Sequence, residues 1–383
     1  MRRLFGGRGK TPRSPKSGLT SGRDMPGIYI ASTAARAGKS LLTLSLGVLL
    51  RRAGFSVGYM KPVGNHPKTV DELQGDEDAL VVQEVLGQEV PADILTPIVS
   101  PQTLRDLWLH DPNAAETNMA RIRAAYDVIA KDRDVILTAG CGAFPASGSF
   151  AGVAGPALVK GLDLRVVLVE RLDRSFDHDA VLHCAATLGP SLLGVVLNDV
   201  PEEDRRDVDQ ALVPYLESRS VRVLGIIPRE PGLWAIRAGD LVQALNGRPA
   251  AGNAGASRMV KGFIIGAMQV ENFMTHLRRH PNRAVIVGGD RVDLQLASLH
   301  ENAPCVILTG NLGPADLVRV KAESMGIPLI VVRDDTYTTA QAMAGLLTNI
   351  KLRELHRIRL GVDLADTSLD MSTFIDAFGL KKE

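Results

Sequence analysis

Thr33-Ala34-Ala35-Arg36-Ala37-Gly38-Lys39-Ser40 is the stretch whose residue types and spacing most directly imply chemistry. It ends as a phosphate-binding loop of the form G-x-x-x-x-G-K-[ST] ends, with Thr33 standing where the first glycine is usual. The physical demands of such a loop are met. Gly38 lets the backbone approach an anion, and consecutive amides from Thr33 through Ala37 and Gly38 to Leu41 form a nest at a helix start. Lys39 would bridge the β- and γ-phosphate oxygens, and the Ser40 hydroxyl would ligate Mg²⁺. A Gly-Lys-Ser turn can also do no more than cap a helix. The apolar run before it and the apolar periodic segment after it favour nucleotide binding.

Those flanks belong to a regular pattern. Short apolar runs at 27–31, 56–61, 135–138, 165–169, 193–198 and 223–227 alternate with helical patterns at 41–52, 76–86, 114–131, 177–187 and 202–218. Continuous Val/Ile/Leu runs suit strands buried on both faces of a parallel sheet, and strand–helix alternation implies a doubly wound α/β layer. Pro228 and Pro231 end this pattern. A second, smaller α/β set follows, with helices at 270–279, 293–299, 314–325 and from Thr338, and strands at 283–287, 305–309 and 328–332. The expected organisation is a basic tail at 1–25, a nucleotide-binding domain at 26–228, a second domain at 229–350 and a C-terminal helical tail at 351–383. In that last tail only one segment, from Met371 to Leu380, reads as amphipathic.

At 383 residues two domains are the natural expectation. Residues 1–24 hold Arg2, Arg3, Arg8, Lys10, Arg13, Lys16 and Arg23 against Asp24 alone, so with a total of +1 the body carries about −5. That balance argues against a nucleic-acid-binding body. The tail lacks the apolar stretch of a secretory signal, and no run is long enough to span a membrane. Met25, just before the first strand, is an alternative start. Cys141, Cys184 and Cys305 are widely spaced and fit a reducing, cytoplasmic setting. His276 and His280 lie four apart on a helix with no Glu or third ligand nearby, so zinc is not expected.

Beyond the loop, four further segments resemble the dethiobiotin-synthetase-like class of P-loop proteins, in which Thr commonly replaces the first glycine. "GYMKPVG" is similar to the strand whose lysine lies beside the transferred phosphate, which implies that role for Lys61. "GDEDALVVQEVLG" resembles the acidic segment that supplies a Mg²⁺ ligand, implying Asp78, while Asp76 reads equally as a helix cap. "LGVVLNDV" resembles the strand whose Asn reads the adenine edge, implying Asn198, and "LGIIPREP" the loop that packs near the base, implying Pro228. The implied cofactors are ATP and Mg²⁺. The second half, with "GGDRVDLQLASL", resembles the DRTGG domain, and the two together resemble the N-terminal regulatory region of long phosphate acetyltransferases.

Three departures matter. Thr138 occupies a position where the class has a metal-ligating Glu, Ala35 stands for a substrate-contacting Thr, and Asn65 for a Ser. A neutral hydroxyl is a poorer ligand for a hard cation. This pattern favours a nucleotide sensor or slow ATPase. The alternatives are an ATP-dependent ligase of dethiobiotin or cobyrinate type, with Lys39 and Lys61 neutralising the transferred phosphoryl group, and a regulatory partner of a phosphate acetyltransferase. In the second domain Asp290, Arg291, Thr309 and Thr336 close neighbouring strands on what should be one edge, the place for a small-molecule effector. An internal ion pair or a dimer contact would explain Asp290 and Arg291 as well, and a homo-oligomer is expected.

Overall fold

The computed structural model describes residues 27–99, 113–149, 152–172, 178–348 and 355–381. They divide into two compact units, the second beginning at Glu230 and the chain returning to the first unit with its C-terminal helices.

The first unit runs β1 (Gly27–Ser32), α1 (Lys39–Arg52), β2 (Val57–Met60), a hairpin of β3 (Pro67–Val70) and β4 (Leu73–Asp76), then α2 (Glu77–Leu86) and α3 (Ala114–Ala130). It continues with β5 (Val135–Ala139), α4 (Gly155–Leu162), β6 (Leu164–Arg171), α5 (Asp179–Leu188), β7 (Leu192–Val200) and β8 (Val223–Pro228). Six strands form one sheet in the order β8-β7-β6-β1-β5-β2, every pair parallel. Each central strand is buried on both faces, which is why its sequence is an unbroken apolar run. In β1 the faces alternate: Ile28 and Ile30 join the core under α1 and α2, while Tyr29 and Ala31 join the core under α3, α4 and α5. The phosphate loop follows β1, the middle of the sheet, so its helix points its N-terminus along the edge where all six strands end.

Two expectations about helices need revision. Residues 202–218 do not make one regular helix: a 3₁₀ turn (Glu202–Asp204) and a single α turn lead into a π-helical stretch (Val208–Leu212) before a last helix, Val213–Ser218. Pro214 lies in the first turn of that last helix. Lacking an N–H, it cannot extend the preceding ladder, and the widened turn absorbs the break. The C-terminal segment holds two helices. α10 (Leu355–Ser368) and α11 (Met371–Ala377) put Ile358, Val362 and Phe374 into the core that α1 and α2 cover. Gly361 permits the approach, since a Cβ there would lie 2.4 Å from Leu41 Cδ1.

The second unit is a five-stranded sheet, order β9-β13-β12-β11-β10, from β9 (Arg248–Ala251), β10 (Gly262–Ile265), β11 (Arg283–Gly288), β12 (Val306–Thr309) and β13 (Leu329–Val331). Only the pairing of β9 with β13 is antiparallel. Helices α6 (Val270–Arg279), α7 (Val292–His300) and α8 (Asp316–Met325) cover one face through Phe273, Leu294 and Val318, and α9 (Thr336–Thr348) covers the other through Met343. No described helix is long and apolar enough to cross a membrane.

Candidate phosphate-binding site

The loop from Thr33 to Gly38 is shaped by two left-handed residues, Arg36 at φ 62° and Gly38 at φ 101°. At Gly38 only glycine fits, because a Cβ would sit 2.2 Å from Asn198 Nδ2 on top of the unfavourable φ. α1 begins without a side-chain cap at Gly38 and without an acidic residue in its first turn. Its first amides therefore keep the positive end of the helix dipole exposed to the loop. The loop itself is tied to β6 at both ends of one residue: the Thr33 amide donates to Val169 O at 3.2 Å, and its hydroxyl donates to the carboxylate of Glu170. Glu170 also contacts His178 Nδ1 at 3.2 Å.

Lys39 is buried. Its ammonium donates to Ser32 Oγ and to Gly142 O, both at 2.6 Å. Burial pushes its pKa down to about 8, with the neighbouring Cys141 opposing the shift and the charge of Lys61 adding to it. The second lysine is thus close enough to be felt by the first. The Cys141 thiol donates to Asn65 Oδ1 at 3.1 Å.

Lys61 is buried too, and it is paired. Its Nζ lies 2.7 Å from Asp76 Oδ1 and 3.9 Å from Asp78 Oδ2. Asp76, wholly buried, caps α2 through the Asp78 and Ala79 amides at 3.0 and 3.1 Å, and accepts the Asn65 and His66 amides at 2.9 and 3.0 Å. The hairpin β3–β4 exists to deliver this residue, turning through Asp71 and Glu72, both left-handed. Asp78 is different: 17% exposed, with Oδ2 3.5 Å from His66 Nδ1. His66, Asp76 and Asp78 place ligand atoms within 4.8 Å of one another, yet both oxygens of Asp76 are already engaged. Ser40 and Asp78 each carry a hard oxygen donor of the kind that Mg²⁺ takes. Thr138 is fully buried, and its hydroxyl has no hydrogen-bond partner. Thus β5 puts no carboxylate at this position.

At the other end of the loop, Asn198 donates from Nδ2 to Ala37 O at 2.8 Å, and Pro228 closes β8 beside it. Asp199, left-handed at φ 59°, receives Arg171 Nε at 2.9 Å and Arg229 Nε at 3.0 Å. The structure therefore gathers Thr33, Ala37, Gly38, Lys39 and Asn198 at one sheet edge and ties Lys61 to Asp78 nearby. Sequence reasoning missed Ser32, His66, Cys141, Glu170, Asp199 and the two arginines. Asp199, Arg229 and His66 had a signal, each lying one residue past a position that the resemblance singled out.

In the second unit the Thr309 and Thr336 hydroxyls meet at 2.9 Å, and the Gly289 amide donates to Thr309 O. Arg291 pairs with Asp293, Nε to Oδ1 at 3.0 Å and Nη2 to Oδ2 at 2.9 Å, so its partner is not the adjacent Asp290. Gln295 holds the glycine turn from beneath, donating to Gly288 O and Gly289 O at 3.1 and 3.0 Å.

A parallel sheet with a glycine-lysine-serine loop at its centre defines a P-loop α/β protein, here joined to a second α/β unit. The family comparison is specific. Residues 26–237 match the AAA domain family and residues 240–346 the DRTGG domain, so the chain belongs to that AAA domain family and carries a DRTGG domain. A phosphate acetyltransferase of Nitratidesulfovibrio vulgaris is 24% identical over 363 residues, covering 90% of this chain and 50% of its own length. An ATP-dependent dethiobiotin synthetase of Methanococcus vannielii is 26% identical over 212 residues, 52% of this chain and 92% of that protein. The chain spans about half the length of the phosphate acetyltransferases it matches. Among solved structures, the CBS and DRTGG domains of a Clostridium perfringens pyrophosphatase regulatory region align over 45% of this chain and 86% of that one at 13% identity, with a TM-score of only 0.26.

Proposed function

We propose that this protein binds Mg²⁺–ATP at the P-loop unit and acts as a nucleotide sensor or slow ATPase, with the DRTGG unit as its regulatory and oligomerising part. The observation that carries the reading is the uncapped start of α1 at Gly38, flanked by the buried ammonium groups of Lys39 and Lys61. The desolvated Lys39 cation beside free helix amides, with the charge of the Asp76-paired Lys61 felt close by, suits a polyphosphate. Ser40 and Asp78 would hold the metal, and Asn198 and Pro228 would meet the base. With a buried Thr138 in place of a carboxylate, binding is favoured over efficient phosphoryl transfer. The same substitution, with Ala35 and Asn65, weighs against a dethiobiotin or cobyrinate ligase. The likeness to phosphate acetyltransferases supports linking such a sensor to acetyl-phosphate or acetyl-CoA metabolism, either fused to or partnering a phosphate acetyltransferase, in the cytoplasm.

Hydrogen exchange followed by mass spectrometry tests this locally. MgATP should slow exchange of peptides spanning residues 34–41 and leave the second unit's β11–β12 peptides unchanged. Identical exchange with and without nucleotide would remove the reading.

A further inference from the structure

A cavity of about 200 Å³ lies between β4, the helical turn Ala92–Leu95, the segment 96–99 and α3, and no phosphate-loop residue lines it. Its walls are fixed by backbone. Ile98–Val99 pairs in parallel with Val63–Gly64, and the Ile98 amide donates to Pro62 O at 3.2 Å. Gly75 brings β4 so close to the turn that a Cβ there would lie 2.9 Å from Ala92 Cβ. Ile98 and Val99, both buried, supply apolar lining.

Charges of both signs line the same space from different elements: Arg121 from α3 and Asp93 from the turn. Arg121 is held in place, its Nη2 donating to Pro97 O at 2.9 Å, with its remaining N–H donors unused. Asp93 starts a helical turn but caps nothing, and among the described residues it has neither a hydrogen bond nor an ion pair. Thr96, which lines the cavity, is 1% exposed, and its hydroxyl has no partner. Asn118, one turn before Arg121 on α3 and equally buried, has neither amide atom bonded. Buried polar atoms are nearly always bonded, so three left open on this wall and one helical turn from it call for a partner.

The chemistry of the lining selects that partner. The cavity is smaller than the roughly 300–1,000 Å³ of sites for drug-sized ligands, so it takes a molecule of few non-hydrogen atoms. A guanidinium with spare donors recognises a carboxylate, and an unpaired carboxylate recognises an ammonium. We propose that this cavity binds a small aliphatic α-amino acid, its carboxylate on Arg121, its ammonium on Asp93 and its side chain against Ile98 and Val99. The site stands apart from the phosphate loop and does not depend on the nucleotide-binding reading.

The test is ligand-observed saturation-transfer NMR of the full chain with L-valine and the smaller L-alanine. Two valine analogues each lack one charge: isovalerate has no ammonium, and isobutylamine has no carboxylate. At least one amino acid should saturate the protein at millimolar concentration, with the analogues at least about tenfold weaker than L-valine. Asp93→Asn, which has no partner to lose and so leaves the fold intact, should weaken L-valine about tenfold and leave isovalerate unchanged. Arg121→Gln should weaken L-valine and isovalerate alike and leave isobutylamine unchanged. Failure of both amino acids to saturate the wild-type protein at tens of millimolar would overturn the proposal. So would equal affinity for L-valine and isovalerate, or an Asp93→Asn protein that still discriminates between them. Titration of Asp93→Asn with MgATP should match wild type, which keeps this result separate from the phosphate site.

Discussion

Replacing Lys39 with Ala is expected to weaken MgATP binding about a hundredfold and to flatten its dependence on pH. The magnitude follows from losing charge-assisted hydrogen bonds to phosphate, on the order of 2–3 kcal/mol in a desolvated site. The pH signature follows from burial, which puts the Lys39 pKa at about 8 in the free protein, while Cys141 and Lys61 are the neighbouring groups acting on it. A bound polyphosphate holds the proton on, so affinity is full below that value and falls as pH rises through it. Between pH 7 and pH 9 the wild-type dissociation constant should rise about tenfold. Lys39→Ala should lose that slope together with the affinity. Titrations at several pH values check both. A variant that binds as tightly as wild type, or that is weakened with the slope intact, would show that the ammonium in its nest of Ser32 and Gly142 oxygens is only structural.

The second large effect is on stability. Asp76→Ala should cost about 3–5 kcal/mol and lower the thermal midpoint of the first unit on the order of 10 °C. The reason is the number of groups this one carboxylate satisfies. Removing it strands the Lys61 ammonium in a site where that side chain is 8% exposed, and leaves the Asn65, His66, Asp78 and Ala79 amides without their acceptor. Breaking one half of a buried pair is far more costly than replacing both halves. Burial acts to raise the Asp76 carboxyl, but the Lys61 charge and its hydrogen bond, with the His66 and Ala79 amides, hold it below the ordinary value. A carboxylate lowered in the folded state stabilises at neutral pH, and that contribution is lost as pH falls through the folded value. Thermal scans by circular dichroism at pH 7 check the effect. A shift of no more than about 2 °C would mean that Lys61 escapes to solvent and the pair contributes little.

The strands and most helices were legible because a strand buried on both faces must be an apolar run, and a helix covering it must repeat every three or four residues. The central strand positions of β1, β5 and β7 follow from that alone. What was illegible depended on partners distant in sequence. α10 carries Ile358, Val362 and Ala365 at helical spacing, but it has a glycine at its contact point and packs on α1, some 300 residues earlier, and on β8. The β3–β4 hairpin reads as polar loop because it has almost no core of its own: Pro67, Lys68 and Thr69 are exposed, and its purpose is to carry Asp76. In the site, Lys39 and Ser40 stood out by local spacing and Asp78 by the resemblance of its segment. The contacts that hold them did not: Thr33 meets Glu170 across 137 positions, Lys39 meets Gly142 across 103, and Arg229 meets Asp199 across 30. Only the strand order brings those pairs together, and one residue's identity says nothing of that order. Asp76, readable as a helix cap, turned out to be both the cap and the counter-ion of Lys61.

Everything functional here depends on a cradle of amides and two ammonium groups taking up a triphosphate. Isothermal titration of the full chain with ATP and Mg²⁺ measures that directly, with Lys39→Ala as the control. Saturable heat at sub-millimolar nucleotide with one ATP per chain is expected, absent in the control over the same range. Flat heats for the folded wild-type protein into the millimolar range, or identical curves for both proteins, would contradict it.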